Sequence, residues 1–138
     1  MELEQCVNFV LTKAQNAVQQ LFKAELAPYG VTPGQYAVLK CLWDENGQTA
    51  KQLSERLYLD GSTVTGILDR MENKSLITRQ PDPKDRRAVR VMLTEQGRAL
   101  AEPVNAAIER ANQKALERLN PQESALLKKL LEELNHSS

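Results

Sequence analysis

The stretch Asp60–Arg70, "DGSTVTGILDR", has two different faces when it is placed on a helix. Four apolar residues recur at the spacing of one buried helical stripe: Val64, Ile67, Leu68 and, just beyond the stretch, Met71. The opposite face carries small or polar residues and a single charge: Ser62, Thr63, Thr65, Gly66 and Arg70. Exposed helix faces usually carry Lys, Glu and Gln, which favour both helix formation and solubility. The pattern predicts a helix and leaves the purpose of its smooth outer face to be explained.

The composition is typical of a soluble, mostly helical protein. The chain has 138 residues, of which 41% are hydrophobic, 26% are charged and 4% are aromatic. This length fits one domain with its own hydrophobic core, and the abundance of Leu, Ala, Glu, Gln and Lys favours helices over strands. The sequence has no signal-peptide pattern and no apolar run of about 18 residues. We therefore expect a cytoplasmic protein with no membrane contact.

Metal binding and catalysis find little support in the sequence. Cys6 and Cys41 lie in separate helical patterns without CxxC spacing, and the one histidine is His136. There is no Ser/His/Asp set, no pair of carboxylates set for acid–base chemistry and no glycine-rich phosphate loop. We expect no metal site, no cofactor and no enzymatic activity.

The charge is uneven along the chain, although the whole chain is neutral. From Arg56 to Arg98 nine basic residues face six acidic ones, which gives +3, and the remainder therefore carries −3. A basic middle with acidic ends is typical of a protein that presents one face to a polyanion.

Periodicity and capping residues predict six helices and one β-hairpin. Capping-box spacings at Thr32/Gln35 and Thr49/Gln52 mark two helix starts, and Pro103 requires a kink or a break in its helix. Alternation in "LITRQ" and "AVRVML", separated by "PDPKDRR", predicts the hairpin, whereas "ENGQ" is interpreted as a plain turn. The helices are expected at about 3–27, 33–44, 50–57, 61–74, 95–119 and 121–134, the last with a stripe of Leu127, Leu130, Leu131 and Leu134.

Three helices followed by a hairpin make a winged helix-turn-helix, in which the last of the three helices enters the DNA major groove. A helix face of Ser, Thr and Gly would suit close contact with the major groove. Its hydroxyls can bond to bases or phosphates, threonine methyls can meet thymine methyls, and Gly66 removes a side chain that would hold the helix away.

The sequence also resembles the MarR family of bacterial transcription regulators. The resemblance rests on "VTPGQYAVLKCLW", "LYLDGSTVTGILDRMENKSLITR", "DPKDRRAVRVMLTEQG" and the flanking helices, and so covers nearly the whole chain. It implies a homodimer that reads a pseudo-palindromic operator in double-stranded DNA. Residues 1–30 and 95–138 would form the helical dimerisation region, and residues 31–94 would form the DNA-binding region. Family members commonly repress transcription until a small-molecule effector or an oxidised cysteine releases them.

By this resemblance Ser62, Thr63, Thr65 and Gly66 begin the recognition helix, and Arg70 and Arg56 are expected to contact phosphates or bases. The hydroxyls could instead cap their own helix, since side chains near a helix start often do so. Arg70 could instead pair with Asp69 or Glu72 on the surface.

The hairpin tip offers a second basic surface, of Lys84, Arg86 and Arg87. An arginine on such a wing can enter a narrow minor groove, where the negative potential is strongest. In the MarR family the Asp-x-Arg spacing, here Asp85 and Arg87, pairs the acid with the arginine and fixes the tip. A solvated, charge-balanced turn is the alternative interpretation.

Cys6 raises an alternative function. In the peroxide-sensing, OhrR-like branch of the family, a cysteine near the start of the first helix is the redox switch, and "LYLD" also occurs there. This chain departs from that pattern, because Pro33 stands where one of the assisting tyrosines is found. We expect Cys6 to be a packing residue rather than a sensor. A winged-helix module that binds protein instead of DNA is a further alternative.

Overall fold

A computed structural model of the chain describes residues 1–135, which form seven α-helices and three short β-strands. Short 3₁₀ turns at Leu3–Gln5 and Ala27–Tyr29 flank the first helix. In chain order the elements are α1 Val7–Leu26, α2 Pro33–Asp44, β1 Gln48–Thr49, α3 Ala50–Leu57, α4 Gly61–Asn73, β2 Ile77–Pro81, β3 Val89–Leu93, α5 Glu95–Ala99, α6 Ala101–Ala115 and α7 Pro121–Leu134.

Side-chain caps determine where the helices begin, as the sequence predicts. Reciprocal capping boxes join Thr32 to Gln35 at α2 and Thr49 to Gln52 at α3. At α7 the same arrangement joins Asn120 to Glu123. Each box satisfies two backbone N–H groups that have no partner inside the helix.

Residues 26–107 form one compact unit around a single core. The predicted stripe of α4 is buried there at Val64, Leu68 and Met71, while Ile67 is half-buried. Side chains of α2, α3 and the sheet complete the core: Val38, Leu39, Leu42, Leu53, Ile77 and Val91. The predicted winged helix-turn-helix is confirmed.

The sheet has three strands in the order β1-β3-β2, all antiparallel. The hairpin of β2 and β3 is as predicted, with Ile77 opposite Leu93 and Pro81 opposite Val89. The interpretation of "ENGQ" as a plain turn is wrong at its last residue, because Gln48 pairs with Val91 in β1. The buried Gln48 amide also donates to the carbonyls of Cys41 and Glu45, both at 2.8 Å, and closes the end of α2.

Two predicted helices are shorter than expected. Cys6 is extended and separates α1 from the preceding 3₁₀ turn, so that α1 does not begin at Leu3. The helix predicted over 95–119 has the break expected for Pro103: it is interrupted after Ala99, because Pro103 has no N–H to donate to the Ala99 carbonyl. Its second part ends at Ala115, where the chain tightens to shorter-range hydrogen bonds before α7.

The second compact unit contains residues 1–25 and the chain from residue 108 onward. Within it, Arg110 Nε donates to Glu25 Oε2 at 3.1 Å, and Lys114 donates to the other oxygen of the same carboxylate. Lys114 first and Arg110 second hold the pKa of Glu25 below its usual value. Most of the exposed large apolar side chains of the described residues lie in this unit: Met1, Leu3, Val7, Val10, Leu11, Leu119, Leu126, Leu127, Leu130, Leu131 and Leu134.

The unit boundaries fall inside α1 and α6, whereas the sequence interpretation divides the chain after residues 30 and 94. The assignment of dimerisation and DNA binding to these parts stays a prediction.

No helix among residues 1–135 is long and apolar enough to cross a membrane. No cluster of three or more His, Cys, Asp or Glu among the same residues could hold a metal ion, and His136 lies outside them.

Gly97 allows α5 to pack against the sheet. A Cβ atom at this position would overlap the Leu76 carbonyl oxygen and lie 3.2 Å from Leu93 Cδ2. Gly97→Ala should therefore lower the free energy of unfolding by about 1–3 kcal/mol. Urea denaturation followed by fluorescence of Trp43, whose indole N–H donates to the Gly97 carbonyl at 3.0 Å, measures this change. Gly61→Ala is the control, since a Cβ there meets nothing within 4 Å; equal stability of both variants would contradict the packing argument.

Candidate nucleic-acid interface

The exposed face of α4 is smooth and open. Ser62, Thr63 and Thr65 are exposed, and the half-buried Gly66 would carry a Cβ that meets nothing within 4 Å. A glycine in the middle of a helix costs about 1 kcal/mol relative to alanine. Because no neighbour within residues 1–135 requires this glycine, its cost has no compensation inside the chain.

The start of α4 is held by Asp60. Its carboxylate accepts the Thr63 N–H and the Ser62 hydroxyl, each at 2.7 Å, and the Thr63 bond is the main reason why the pKa of Asp60 lies below its usual value. The capping interpretation is therefore correct for the Ser62 hydroxyl proton, although the oxygen can still accept a bond. Within residues 1–135 the Thr65 hydroxyl has no hydrogen-bond partner.

The two arginines predicted beside this face, Arg70 and Arg56, differ in whether they form ion pairs with other side chains. Arg70 is exposed and makes no ion pair within residues 1–135, so the suggested pairing with Asp69 or Glu72 is wrong. Arg56 is half exposed, and its Nη2 lies 2.8 Å from Asp44 Oδ2. Since Lys40 binds the other oxygen of Asp44 at the same distance, Arg56 belongs to a small surface network.

The wing tip is shaped by two aspartates. Asp82 Oδ1 accepts the Lys84 N–H at 2.8 Å, and Asp82 Oδ2 accepts Arg90 Nε at 2.9 Å. Those bonds, the Lys84 N–H first, hold the pKa of Asp82 below its usual value. Asp85 accepts the backbone N–H of Arg87 at 3.0 Å.

The expected pairing of Asp85 with the Arg87 guanidinium is absent from the structure. The side chains of Lys84, Arg86 and Arg87 are exposed and make no ion pair within the described part of the chain. Asp85 does structure the tip, but it does so through the backbone. Asp82 is the acid that sequence reasoning missed; its position at the second residue of "PDPK" is typical of a side chain that bonds a backbone N–H two residues on.

Arg79 joins the wing to α4. Its Nη2 lies 2.5 Å from Asp69 Oδ1 and 3.1 Å from Glu72 Oε1, so that one guanidinium of β2 binds both acids of α4. These bonds, that to Asp69 first, raise the pKa of Arg79. Lys74 similarly ties the end of α4 to the start of α2, by donating to the Gly30 carbonyl at 2.7 Å and to Gln35 Oε1 at 3.0 Å. Neither role could be read from sequence spacing, because the partners are distant in the chain.

The cysteines lie in different environments. Cys41 is buried in α2, and burial raises the pKa of its thiol. Cys6 is half-buried just before α1, and its thiol is free. Of the tyrosines, Tyr36 contacts Trp43, with ring centroids 6.4 Å apart.

Comparison with known proteins bears on the identity of this winged unit. A family model described as "MarR family" matches residues 31–89. The organic hydroperoxide resistance transcriptional regulator of Bacillus subtilis is 38% identical over 102 residues, which are 74% of this chain and 69% of that protein. The chain belongs to the MarR family of transcriptional regulators. Members of this family are regulators and not enzymes.

Solved structures of other MarR-family proteins have the same fold. Bordetella bronchiseptica BpsR, from a study of how 6-hydroxynicotinic acid regulates its DNA binding, matches with a TM-score of 0.92 and 28% identity over 100% of this chain and 99% of its own. A mutant of MarR from E. coli, complexed with operator DNA, matches with a TM-score of 0.87 and 27% identity over 93% of this chain and 92% of its own.

The Arg79 bridge predicts energetic coupling between β2 and α4. In double-mutant cycles, Arg79→Met should couple with Asp69→Asn and with Glu72→Gln by about 0.5–1 kcal/mol each, because these ion pairs are largely exposed. The coupling should shrink in high salt. Chemical denaturation of the four proteins in each cycle measures it. Arg70→Met is the control, and coupling of Arg70 rather than Arg79 to these acids would contradict the observed pairing.

Proposed function

We propose that this MarR-family chain is a sequence-specific DNA-binding repressor that acts as a cytoplasmic homodimer and is released by a small ligand. The observation that supports DNA reading is the outer face of α4, where a costly glycine lies in open space and the hydroxyl residues are exposed within residues 1–135. Such a face suits close approach to base edges in the major groove.

In this proposal the face and the wing have different tasks. Ser62, Thr63 and Thr65 contact base edges or phosphates, and Gly66 lets the helix approach them. The cations that make no ion pair within residues 1–135 bind the DNA backbone or the minor groove: Arg70, Lys84, Arg86 and Arg87. Arg56 contacts a phosphate while it shares its charge with Asp44, and Asp85 holds the wing tip in shape.

The apolar surface of the unit containing α7 supports the homodimer. Leu127, Leu130 and Leu131 are 39%, 53% and 41% exposed in the single chain. Contiguous exposed leucines on one helix are typical of an interface between subunits. A two-fold dimer presents two copies of α4, which is why the operator should be a pseudo-palindrome.

Release from DNA by a small ligand is proposed from what is known of two related proteins. The DNA binding of BpsR is regulated by 6-hydroxynicotinic acid, whereas the Bacillus subtilis relative is named for organic hydroperoxide resistance. A small ligand is favoured for this chain because the redox alternative depends on Cys6, and the sequence carries Pro33 where the peroxide-sensing branch has one of the assisting tyrosines.

Gly66→Ala tests the proposed face most simply. The substitution should stabilise α4 by about 0.5–1 kcal/mol, since alanine favours helix, yet weaken binding to DNA selected from genomic fragments by about 1 kcal/mol or more. Thermal denaturation and fluorescence-anisotropy titration measure the two effects. Asn112→Ala on α6 is the control, with a similar gain in helix propensity and no loss of affinity.

The same titration distinguishes the DNA reader from a protein-interaction module. A DNA reader should bind with an affinity that falls steeply with salt, because it releases counterions from phosphates. No salt-dependent affinity for any duplex, or a Gly66→Ala variant that binds as tightly as the wild type, would contradict the proposal.

Leu130→Glu tests the dimer. In a monomer a charge at this exposed position would be harmless, but in a subunit interface it should convert the dimer to a monomer or an aggregate. Analytical ultracentrifugation measures the change, with Lys129→Glu on the same helix as the control. If both variants sediment as the wild-type dimer, α7 does not form the interface.

Cys6→Ser tests the redox alternative. We expect an organic hydroperoxide to leave DNA binding by the wild type unchanged, since Cys6 is interpreted as a packing residue. The DNA titration is repeated after peroxide treatment, with Cys41→Ala as the control. Release of the wild type and of Cys41→Ala, but not of Cys6→Ser, would make the chain a peroxide sensor.

A further inference from the structure

Tyr58 occupies an unusual position in the turn between α3 and α4. Its backbone is left-handed, with φ at 56°, and the residue is 95% exposed. The Tyr58 N–H and the Leu59 N–H both reach the Ser54 carbonyl and end α3. Helices that end in this way usually carry glycine or asparagine at the left-handed position, because a bulky side chain is strained there.

The Tyr58 side chain makes no stabilising contact that the structure shows among residues 1–135. Among residues 1–135 it has no hydrogen bond and no ring contact. Ser75 is the other residue besides glycine with a positive φ in that part of the chain, but it is small, and its carbonyl accepts the Thr94 hydroxyl at 2.7 Å. Tyr58 thus combines backbone strain with full exposure of a large ring, and neither feature has a compensating contact within the described fold.

We propose that Tyr58 is a DNA-backbone contact, whose phenol hydroxyl donates a hydrogen bond to a phosphate at the edge of the groove that α4 enters. This inference rests on the proposed DNA-binding function. It adds to that function a neutral contact from the turn, outside the α4 face and the wing tip.

The position of Tyr58 next to α4 favours DNA over another occupant. Asp60 caps α4 only two residues later, so the Tyr58 Cα lies within about 7 Å of the helix start. A major groove is about 12 Å wide, so a residue at this distance from a helix in the groove is within reach of one of the phosphate rows that border it. The phenol supplies a hydrogen-bond donor at the end of a long, rigid side chain, which is what a phosphate oxygen requires.

A neutral donor leaves a recognisable signature in a salt titration. Arg87→Ala removes a cation, and should reduce the slope of log affinity against log salt by about 0.9. Tyr58→Phe removes only a hydroxyl, so it releases no fewer counterions. We expect Tyr58→Phe to weaken binding about fivefold at every salt concentration with an unchanged slope, equally on a selected operator and on a scrambled duplex.

A second variant separates binding from folding. Tyr58→Asn relieves the left-handed backbone and should raise the thermal midpoint by about 2–4 °C while weakening DNA binding at least as much as Tyr58→Phe. Ser75→Asn gives the same backbone relief at the other end of α4, and should raise the midpoint without any loss of affinity. Loss of binding in a more stable protein cannot come from misfolding.

The outcomes distinguish this inference from the function on which it rests. Wild-type protein that binds no duplex in a salt-dependent way would contradict the proposed function and this contact together. Wild-type binding with unchanged affinity in Tyr58→Phe would overturn the phosphate contact alone. A loss confined to the operator would also overturn it, because it would indicate a base contact.

Discussion

The burial of one side of α4 is the interaction on which the rest of the structure depends. Val64, Leu68 and Met71 are fully covered by the core of residues 26–107, so only one orientation of the helix about its axis satisfies the core. That orientation turns Thr65 and Gly66 outward. The surface proposed to read DNA is therefore determined by the same stripe that stabilises the fold, and a rotated helix would lose both.

Ion pairs within the protein neutralise most of the negative charge on and around α4. Asp69 and Glu72 would place two negative charges on α4, but Arg79 of β2 binds both. Asp60 is engaged by the first turn of the helix, and Asp82 by Arg90. The acids of the region are thus largely paired within the protein, while Arg70 and the cations of the wing tip make no ion pair within residues 1–135. A chain with no net charge can in this way present a positive surface.

The features that the sequence predicted are those with local causes. A capping box such as Thr32/Gln35 spans four residues, and the α4 stripe has one period, so both can be read without the fold. The two residues of β1 pair with β3, far along the chain, and Arg79 binds acids that lie ten and seven residues away, so neither feature could be read in this way. At the wing, Asp85 is expected from the sequence to pair with the Arg87 guanidinium, but its Oδ1 accepts the backbone N–H of that same residue instead.

Sequence reading by the outer face of α4 is tested by the substitution Thr65→Val. The substitution keeps the shape of the side chain and removes a hydroxyl that has no partner within residues 1–135. Affinities for a selected operator and for a scrambled duplex of the same length are measured at the same salt concentration. We expect a loss of about 1–3 kcal/mol on the operator and a much smaller loss on the scrambled duplex. Equal losses on both duplexes, or no loss on either, would show that this face does not read sequence.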